Sequence, residues 1–347
     1  MTCLGCMIGG RNEVWYQPSC IKNLKIEIYY WAINFSMGLG NRILNQVATV
    51  VLNWNGKDDT LACLYSLQEQ EDVEVKVIVV DNGSVDDSVN DLSDQFPNAI
   101  VIETGVNLGY AGGNNVGIRY ALDIGFKYIM VLNNDTLLAP QCISHLLADL
   151  QLHLDVAAVA PKSFYLEAPD VIYFAGGRIS RDGRTHHIGG GSYNAPKYNL
   201  PCDTEWLAGC AILFRSKSLQ ELGLFEPKYY LLFEDVDWSL RARRRGYRLR
   251  VVPEATLWHK VSPSFSKTWS PLYRYYYTRN SFLWIERNFP LREKPRLYYS
   301  ALKRAFNAAM LRTREVSSND MRLIRRSVWK GIVDYILRRF GPQSHLW

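Results

Sequence analysis

The chain has 347 residues, of which 48% are hydrophobic, 13% aromatic and 21% charged. That excludes disordered, collagenous and coiled-coil classes and fits either two domains or one large α/β domain with an appendage. The net charge of +6 is unevenly placed: residues 271–347 carry 16 Lys/Arg against 5 Asp/Glu, a net of +11, so residues 1–270 carry −5.

Residues 1–46 lack strong periodicity and read as an N-terminal extension, with Met37 as an alternative start just before the first clear strand. The longest uncharged apolar-leaning run, Ile28 to Asn41, has 14 residues. A spanning helix needs about 20, so no transmembrane helix is expected. The N-terminus has neither the basic region nor the cleavage site of a signal peptide. Seven cysteines, at 3, 6, 20, 63, 142, 202 and 210, are odd in number and scattered, as suits a reducing cytosol. Cys3 and Cys6 form a lone C-x-x-C, which is weak evidence for zinc.

From Val47 the pattern changes. Val47–Leu52 reads as a buried strand followed by Asn53-Trp54-Asn55-Gly56, and Leu61, Leu64, Tyr65 and Leu67 are spaced for a helix. Val75–Val80 is a second strand, ending in Asp81-Asn82-Gly83-Ser84. Ala99–Glu103 is a third, and Gly109–Asn115 then opens a helix to about Leu122. Tyr128–Leu132 is a fourth strand, ending in Asn133-Asn134-Asp135. Continuous apolar strands alternating with helices predict a parallel sheet covered on both faces. Ligands in such sheets sit at the carboxyl ends of the strands, and three of the four ends carry Asn or Asp.

Residues 170–202 read as turns and a hairpin, and Leu207–Phe214 as another buried strand. Phe233-Glu234-Asp235-Val236-Asp237 leads into a helix with Arg241, Arg243, Arg244 and Arg245. Leu249–Val252 is a further strand, followed by Trp258-His259, and helices follow Pro271.

Four groups carry candidate chemistry. Asp81 can accept hydrogen bonds from a base or ribose, though a turn or N-cap role fits it equally well. The glycine-rich turn with Gly112, Gly113 and Asn114 lets backbone approach phosphate or ribose. It is not G-x-G-x-x-G, so a dinucleotide site is weakly supported. Asp135, with the amides of Asn133 and Asn134, can hold Mg²⁺ or Mn²⁺ together with a diphosphate. His259 can join that shell if the fold brings it to Asp135; otherwise it is structural, as Asp135 is if it only caps a helix. Glu234, Asp235 and Asp237 are close enough to raise at least one pKa, which suits a general base; capping a helix with basic later turns is the competing role.

Together these residues resemble the family-2 inverting glycosyltransferases of the GT-A fold, in the rhamnosyltransferase-like branch. The resemblance rests on VATVVLNWN (47–55), VKVIVVDNGSVDDS (75–88), NLGYAGGNN (107–115), YIMVLNNDT (128–136), WLAGCAILFR (206–215), GLFEPKYYLLFEDVDWSLRARRRGY (223–247) and VVPEATLWHK (251–260), in the family's order. It implies an α/β GT-A domain over 47–270, a mixed, mostly parallel sheet flanked by helices, with a basic helical C-terminal region over 271–347. It implies donor contacts from Asp81, Asn53, Asn55 and Asn107, with Asn133-Asn134-Asp135 as the D-x-D equivalent. Asn133 replaces the first acid of that motif and leaves Asp135 as its metal-binding carboxylate, with His259 as second ligand. Asp235 would be the base, with Glu234 and Asp237 tuning or positioning it. Trp206, Tyr229 and Tyr230 are candidates to stack on sugars; Trp238 reads as core.

The implied reaction moves a sugar from a nucleoside-diphosphate donor, with dTDP-rhamnose the donor to test first, to a glycan or lipid-linked acceptor. The alternatives are a nucleotidyltransferase and a catalytically weakened glycan-binding protein. A nucleic-acid partner is not expected, because backbone binding needs a continuous basic surface.

Met321, Ile324, Val328, Ile332, Ile336 and Phe340 recur at helical spacing among basic residues. Such a helix either packs its apolar side on the body or lies on an anionic membrane. The expected location is the cytoplasm or the inner face of the cell membrane.

Overall fold

Alternate residues of the central strands feed two separate cores, which is the period-2 signature of a sheet buried on both sides. The computed structural model describes residues 46–261, 270–310 and 318–343. The expected N-terminal extension, with Met37, Cys3 and Cys6, lies outside the described residues apart from Gln46.

Strands β1 (Gln46–Asn53), β2 (Glu74–Asp81), β3 (Ile100–Glu103) and β4 (Tyr128–Asn133) are parallel neighbours in the order β4-β1-β2-β3. Ala48, Val50, Ile78, Val80, Ile129 and Val131 point to one core, and Val47, Val51, Val79, Met130 and Leu132 to the other. Helix α3 (Gly109–Asp123) covers the first face with Ala111, Ile118 and Ala121. Helices α1 (Lys57–Gln68), α2 (Ser88–Gln95) and α4 (Cys142–Leu152) cover the second.

Beyond β4 the sheet turns mixed. Strand β11 (Ala211–Arg215) runs antiparallel to both β4 and β6 (Val156–Tyr165), and β12 (Arg248–His259) runs parallel to β6. The short strands β5 (Thr136–Leu138), β7 (Ala168–Phe174) and β10 (Cys202–Asp203) attach to β12, β6 and β12 respectively. The expected hairpin is β8 (Gly177–Ile179) against β9 (Thr185–His187), turning at Gly183 with φ +76°.

Two expected strands change. Leu207–Cys210 is not strand, because its backbone turns to serve the site described below. The strand expected over Leu249–Val252 runs on to His259, with an irregularity between Val252 and Thr256 around Pro253, where proline lacks the ladder donor.

Helix α5 (Ser216–Leu222) follows β11. Helix α6 (Glu234–Arg244) has its acids in the first turn and Arg241, Arg243 and Arg244 in the last, matching the helix dipole. Helices α7 (Pro271–Asn288), α8 (Lys294–Met310) and α9 (Ser318–Ile336) form the basic C-terminal region. Phe282, Trp284, Ile285, Leu297 and Ala301 share a core with the sheet and α6, so position 270 marks a change of architecture within continuous packing. Met321, Ile324 and Val328 are buried against the body, whereas Ile336, at the end of that spacing, is exposed. The apolar face singled out in the sequence therefore packs on the protein. Among the described residues, no helix is long and apolar enough to cross a membrane.

Candidate active site

Parallel register brings the strand ends to one edge: Asn53 stands opposite Asp81, and Leu52 opposite Asn133. Asn53 and Asp81 are both buried, and Asn53 Nδ2 donates to Asp81 Oδ1 at 2.9 Å. The Ser84 amide donates to Asp81 Oδ2 at 3.0 Å, which is the turn role weighed for Asp81. Asn55, at φ +50°, accepts from the Val85 amide and donates its own amide to Ser84 Oγ. Asn82, beside Asp81 at the same strand end, links this turn to the glycine-rich one: its Nδ2 donates to Asn107 Oδ1, and its Oδ1 accepts from the Leu108 amide. Asn107 Oδ1 also accepts from Tyr230 OH at 3.0 Å. Asp81, Asn53, Asn55, Asn107 and Tyr230 thus form one connected cluster.

Beside it opens a cavity of about 460 Å³ whose walls include Asn133, Asp135, His259, Trp206, Glu234 and Asp235. Pairing of β5 with β12 sets His259 opposite Thr136, which places His259 Nε2 3.1 Å from Asp135 Oδ1. This long-range pairing, invisible in sequence spacing, assembles the expected metal pair. One carboxylate and one imidazole, facing a cavity, suit Mn²⁺ or Mg²⁺ only as part of a shell. No group of three or more His, Cys, Asp or Glu gathers among the described residues, so a cation held by this pair would need further oxygen ligands. Asn134 turns away, donating to Thr60 Oγ1 and the Gly56 carbonyl.

Across the cavity, Asp235 and Glu234 begin α6 after a loop with positive φ at Tyr230, Leu232 and Phe233. Such angles cost energy for side-chain-bearing residues and need external support. The support comes from α7. Asn280 Nδ2 donates to the carbonyls of Tyr229, Leu231 and Leu232, and Arg279 Nη2 donates to those of Lys228 and Tyr229.

The Asp235 carboxylate accepts from the amides of Gly209 at 2.8 Å and Val236 at 2.7 Å. Burial raises its pKa to about 6, against the opposing pull of those bonds. Glu234 is pushed well above the ordinary carboxylate range by burial and by the adjacent Asp235 charge. Burial also raises the Tyr110 phenol, beside both acids, and lowers His187. His187 Nδ1 lies 2.8 Å from the Tyr173 carbonyl and so carries the proton, leaving Nε2 as an acceptor.

Of the expected site residues, Asn133, Asp135, Trp206, Glu234, Asp235 and His259 line the cavity and the others do not. Asp237 is fully buried, and its carboxylate accepts from Tyr229 OH, Arg241, Arg287 and Asn288. It anchors α6 and, being fully buried, is closed to an acceptor. Gly113 is buried where a Cβ would strike Leu52 and press on Asn82, so it serves close helix–strand approach. Asn114 is fully buried and donates to the Tyr110 carbonyl. Gly112 lies over Leu108. Tyr229, a stacking candidate, is core, as is Trp238. Trp206 does line the cavity, packed on Phe174 and His187. The sequence reading missed Tyr110, Tyr165, Tyr173 and His187. Tyr110 sat inside a quoted motif; the others lie on elements without a local signal.

The Glycosyl transferase family 2 model matches residues 49–222. The chain belongs to this family. Like other family members it is a glycosyltransferase that uses a nucleotide sugar, in the rhamnosyltransferase-like group. It is 23% identical over 252 residues to the dTDP-rhamnosyl transferase RfbF of Shigella flexneri, covering 70% of this chain and 81% of that one. It is 26% identical over 222 residues to the N-acetylglucosaminyl-diphospho-decaprenol L-rhamnosyltransferase of Mycobacterium tuberculosis, covering 58% and 71%. In fold this family 2 chain is similar to the mannosyltransferase PcManGT of Pyrobaculum calidifontis, solved with GDP-Man and Mn²⁺. The TM-score is 0.52 at 15% identity, over 90% of this chain and 95% of the other. GalNAc-T7, solved with UDP, GalNAc and Mn²⁺, gives a TM-score of 0.53 at 13% identity, over 76% and 57%. The fold is GT-A.

Proposed function

We propose that this family 2 member is an inverting, metal-assisted transferase that moves rhamnose from a nucleoside-diphosphate donor to a hydroxyl of a lipid-linked glycan. The observation that carries the reading is the placement of Asp235, raised to about 6, on the same cavity as the Asp135–His259 pair. Rhamnose and the lipid-linked acceptor are drawn from the names of the two relatives.

In this reading Asp81, Asn53 and Asn107 hold the nucleoside, and Asn133 and Asp135 face the diphosphate. Asp135 and His259 would hold Mn²⁺ or Mg²⁺, which when bound neutralises charge on the departing diphosphate. Asp235 accepts the proton of the acceptor hydroxyl, and the oxygen bonds to the anomeric carbon as the bond to the diphosphate breaks. A single displacement inverts the configuration. Trp206 offers the acceptor an apolar wall, and the His187 Nε2 acceptor faces a hydroxyl. Glu234 stays protonated and adds no charge beside the base.

The test is a panel of nucleoside-diphosphate sugars, assayed for released nucleoside diphosphate with and without Mn²⁺ or Mg²⁺, with the product's anomeric configuration read by NMR. Release of pyrophosphate, or retention of configuration, rejects the mechanism.

A further inference from the structure

Helix α9 is apolar on two opposite faces. One is buried in the protein through Ile324 and Val328; the other holds Leu323, Trp329, Val333 and Ile336, with Leu337 just past its end, all exposed. At 100° per residue these five, with Arg322 and Arg326, fall on one continuous side of the helix.

The neighbouring helix repeats the pattern. Helix α8 packs on α9 through Ala305, Ala309 and Val328 and exposes Tyr299, Leu302, Phe306 and Met310 at spacings of three and four. Trp329 is 48% exposed, Phe306 53% and Ile336 65%. Isolated exposed apolar residues are ordinary, but rows on adjacent helices mark an interaction surface.

Charge selects the occupant. Helix α8 has no acid and exposes Arg296 and Lys303, while Arg304 is turned to Asp182. On α9, Arg322 and Arg326 are exposed among the apolar side chains, and one of its two acids, Asp334, is buried against Tyr275 and Lys330. A second copy meeting this surface face to face would set cation against cation. Interleaved bulky apolar, aromatic and Arg/Lys side chains instead match the boundary between acyl chains and anionic headgroups.

We infer that the exposed faces of α8 and α9 dock the protein on an anionic lipid bilayer. Helix α7, whose Tyr273 and Tyr277 line the cavity, packs against both helices. The docked face is thus tied to the catalytic site through one helix. The inference rests on the lipid-linked acceptor only for its use, since docking itself needs neither donor nor acceptor.

The test is co-sedimentation of the full-length protein, without substrates, with vesicles of phosphatidylethanolamine and phosphatidylglycerol, and with vesicles of phosphatidylcholine alone. Wild type should pellet with the anionic vesicles and remain in solution with the neutral ones. Trp329→Ser combined with Ile336→Ser should weaken partitioning by roughly tenfold or more with an unchanged melting temperature. Arg322→Gln with Arg326→Gln should reduce the anionic preference and its salt sensitivity; Trp329→Ser alone serves if the double apolar variant misfolds. Wild type left in the supernatant, or folded variants that pellet like wild type, would overturn the inference. So would a wild-type dimer that fails to bind vesicles and becomes monomeric in the apolar variant. Loss of transfer with vesicle binding intact would instead count against the assigned reaction.

Discussion

Glu234 and Asp235 are sequence neighbours on the same helical turn, yet their carboxylates live in different surroundings. Asp235 accepts two backbone amides, whereas Glu234 Oε2 is buried with no hydrogen-bond partner among the described residues. Burial raises both pKa values, Asp235 to about 6. The two amide bonds favour the ionised form of Asp235, and the bare, buried Glu234 oxygen favours the protonated form of its carboxyl. Pairs separated in this way divide acid and base roles.

Asp235→Asn removes the proton acceptor without changing shape. Transfer should fall about 10²–10⁴-fold, the usual contribution of a general base, while nucleoside-diphosphate binding survives in a calorimetric titration. In wild type, the base must be ionised to act, so kcat/KM should rise with pH through about 6. A profile flat from pH 5 to 8 would remove Asp235 from the role.

Glu234→Gln should stabilise the protein at high pH. The folded state holds the Glu234 proton more tightly than the unfolded chain does. Its contribution is therefore complete below the unfolded pKa of about 4.3 and is lost as pH rises toward the folded value. Glutamine carries no such penalty. At pH 8 the variant should melt at a higher temperature than wild type, with the gain vanishing near pH 4. Melting curves at both pH values check this; equal melting temperatures at pH 8 would mean that Glu234 is not held neutral.

Asn280→Ala tests the clamp on the strained loop. Three carbonyls, of Tyr229, Leu231 and Leu232, would lose a shared donor, at a cost of about 1–3 kcal/mol. Because that loop delivers Asp235, kcat should drop more than donor affinity. A variant that loses stability but keeps kcat would confine Asn280 to packing.

The parallel half of the fold was legible because each of its strands is a continuous apolar run closed by a polar turn. Asp81, Asn53 and Asp135 were legible for the same reason: they close such runs. The mixed half was harder to read. Pro253 interrupts β12, so the length that carries His259 to β5 leaves no periodic trace. Asp237 looked like a site residue because it shares a motif with Asp235. Its distance from the cavity is decided by Arg287 and Asn288, 50 and 51 residues further along the chain. The second apolar face of α9 was hidden by the first: a spacing of three to four found the side that packs and, of the exposed row, picked up only Ile336.

The Asp135–His259 pair makes the most specific claim about metal use. Asp135 follows β4 and His259 ends β12, strands separated in the sheet by β6 and β11, and the two meet through the β5–β12 ladder. If the pair holds a divalent cation shared with the diphosphate, Asp135→Ala and His259→Ala should each weaken Mn²⁺-dependent binding of nucleoside diphosphate by about tenfold or more, as loss of a ligand does. Binding measured in EDTA should be the same in wild type and variants. Asp235→Asn, on the facing wall, should keep the Mn²⁺ dependence. If the pair is only an ion pair joining β5 to β12, both alanine variants will lower the melting temperature while Mn²⁺ still strengthens nucleotide binding as in wild type. Calorimetry with and without Mn²⁺, read beside melting curves of the same preparations, separates the two outcomes.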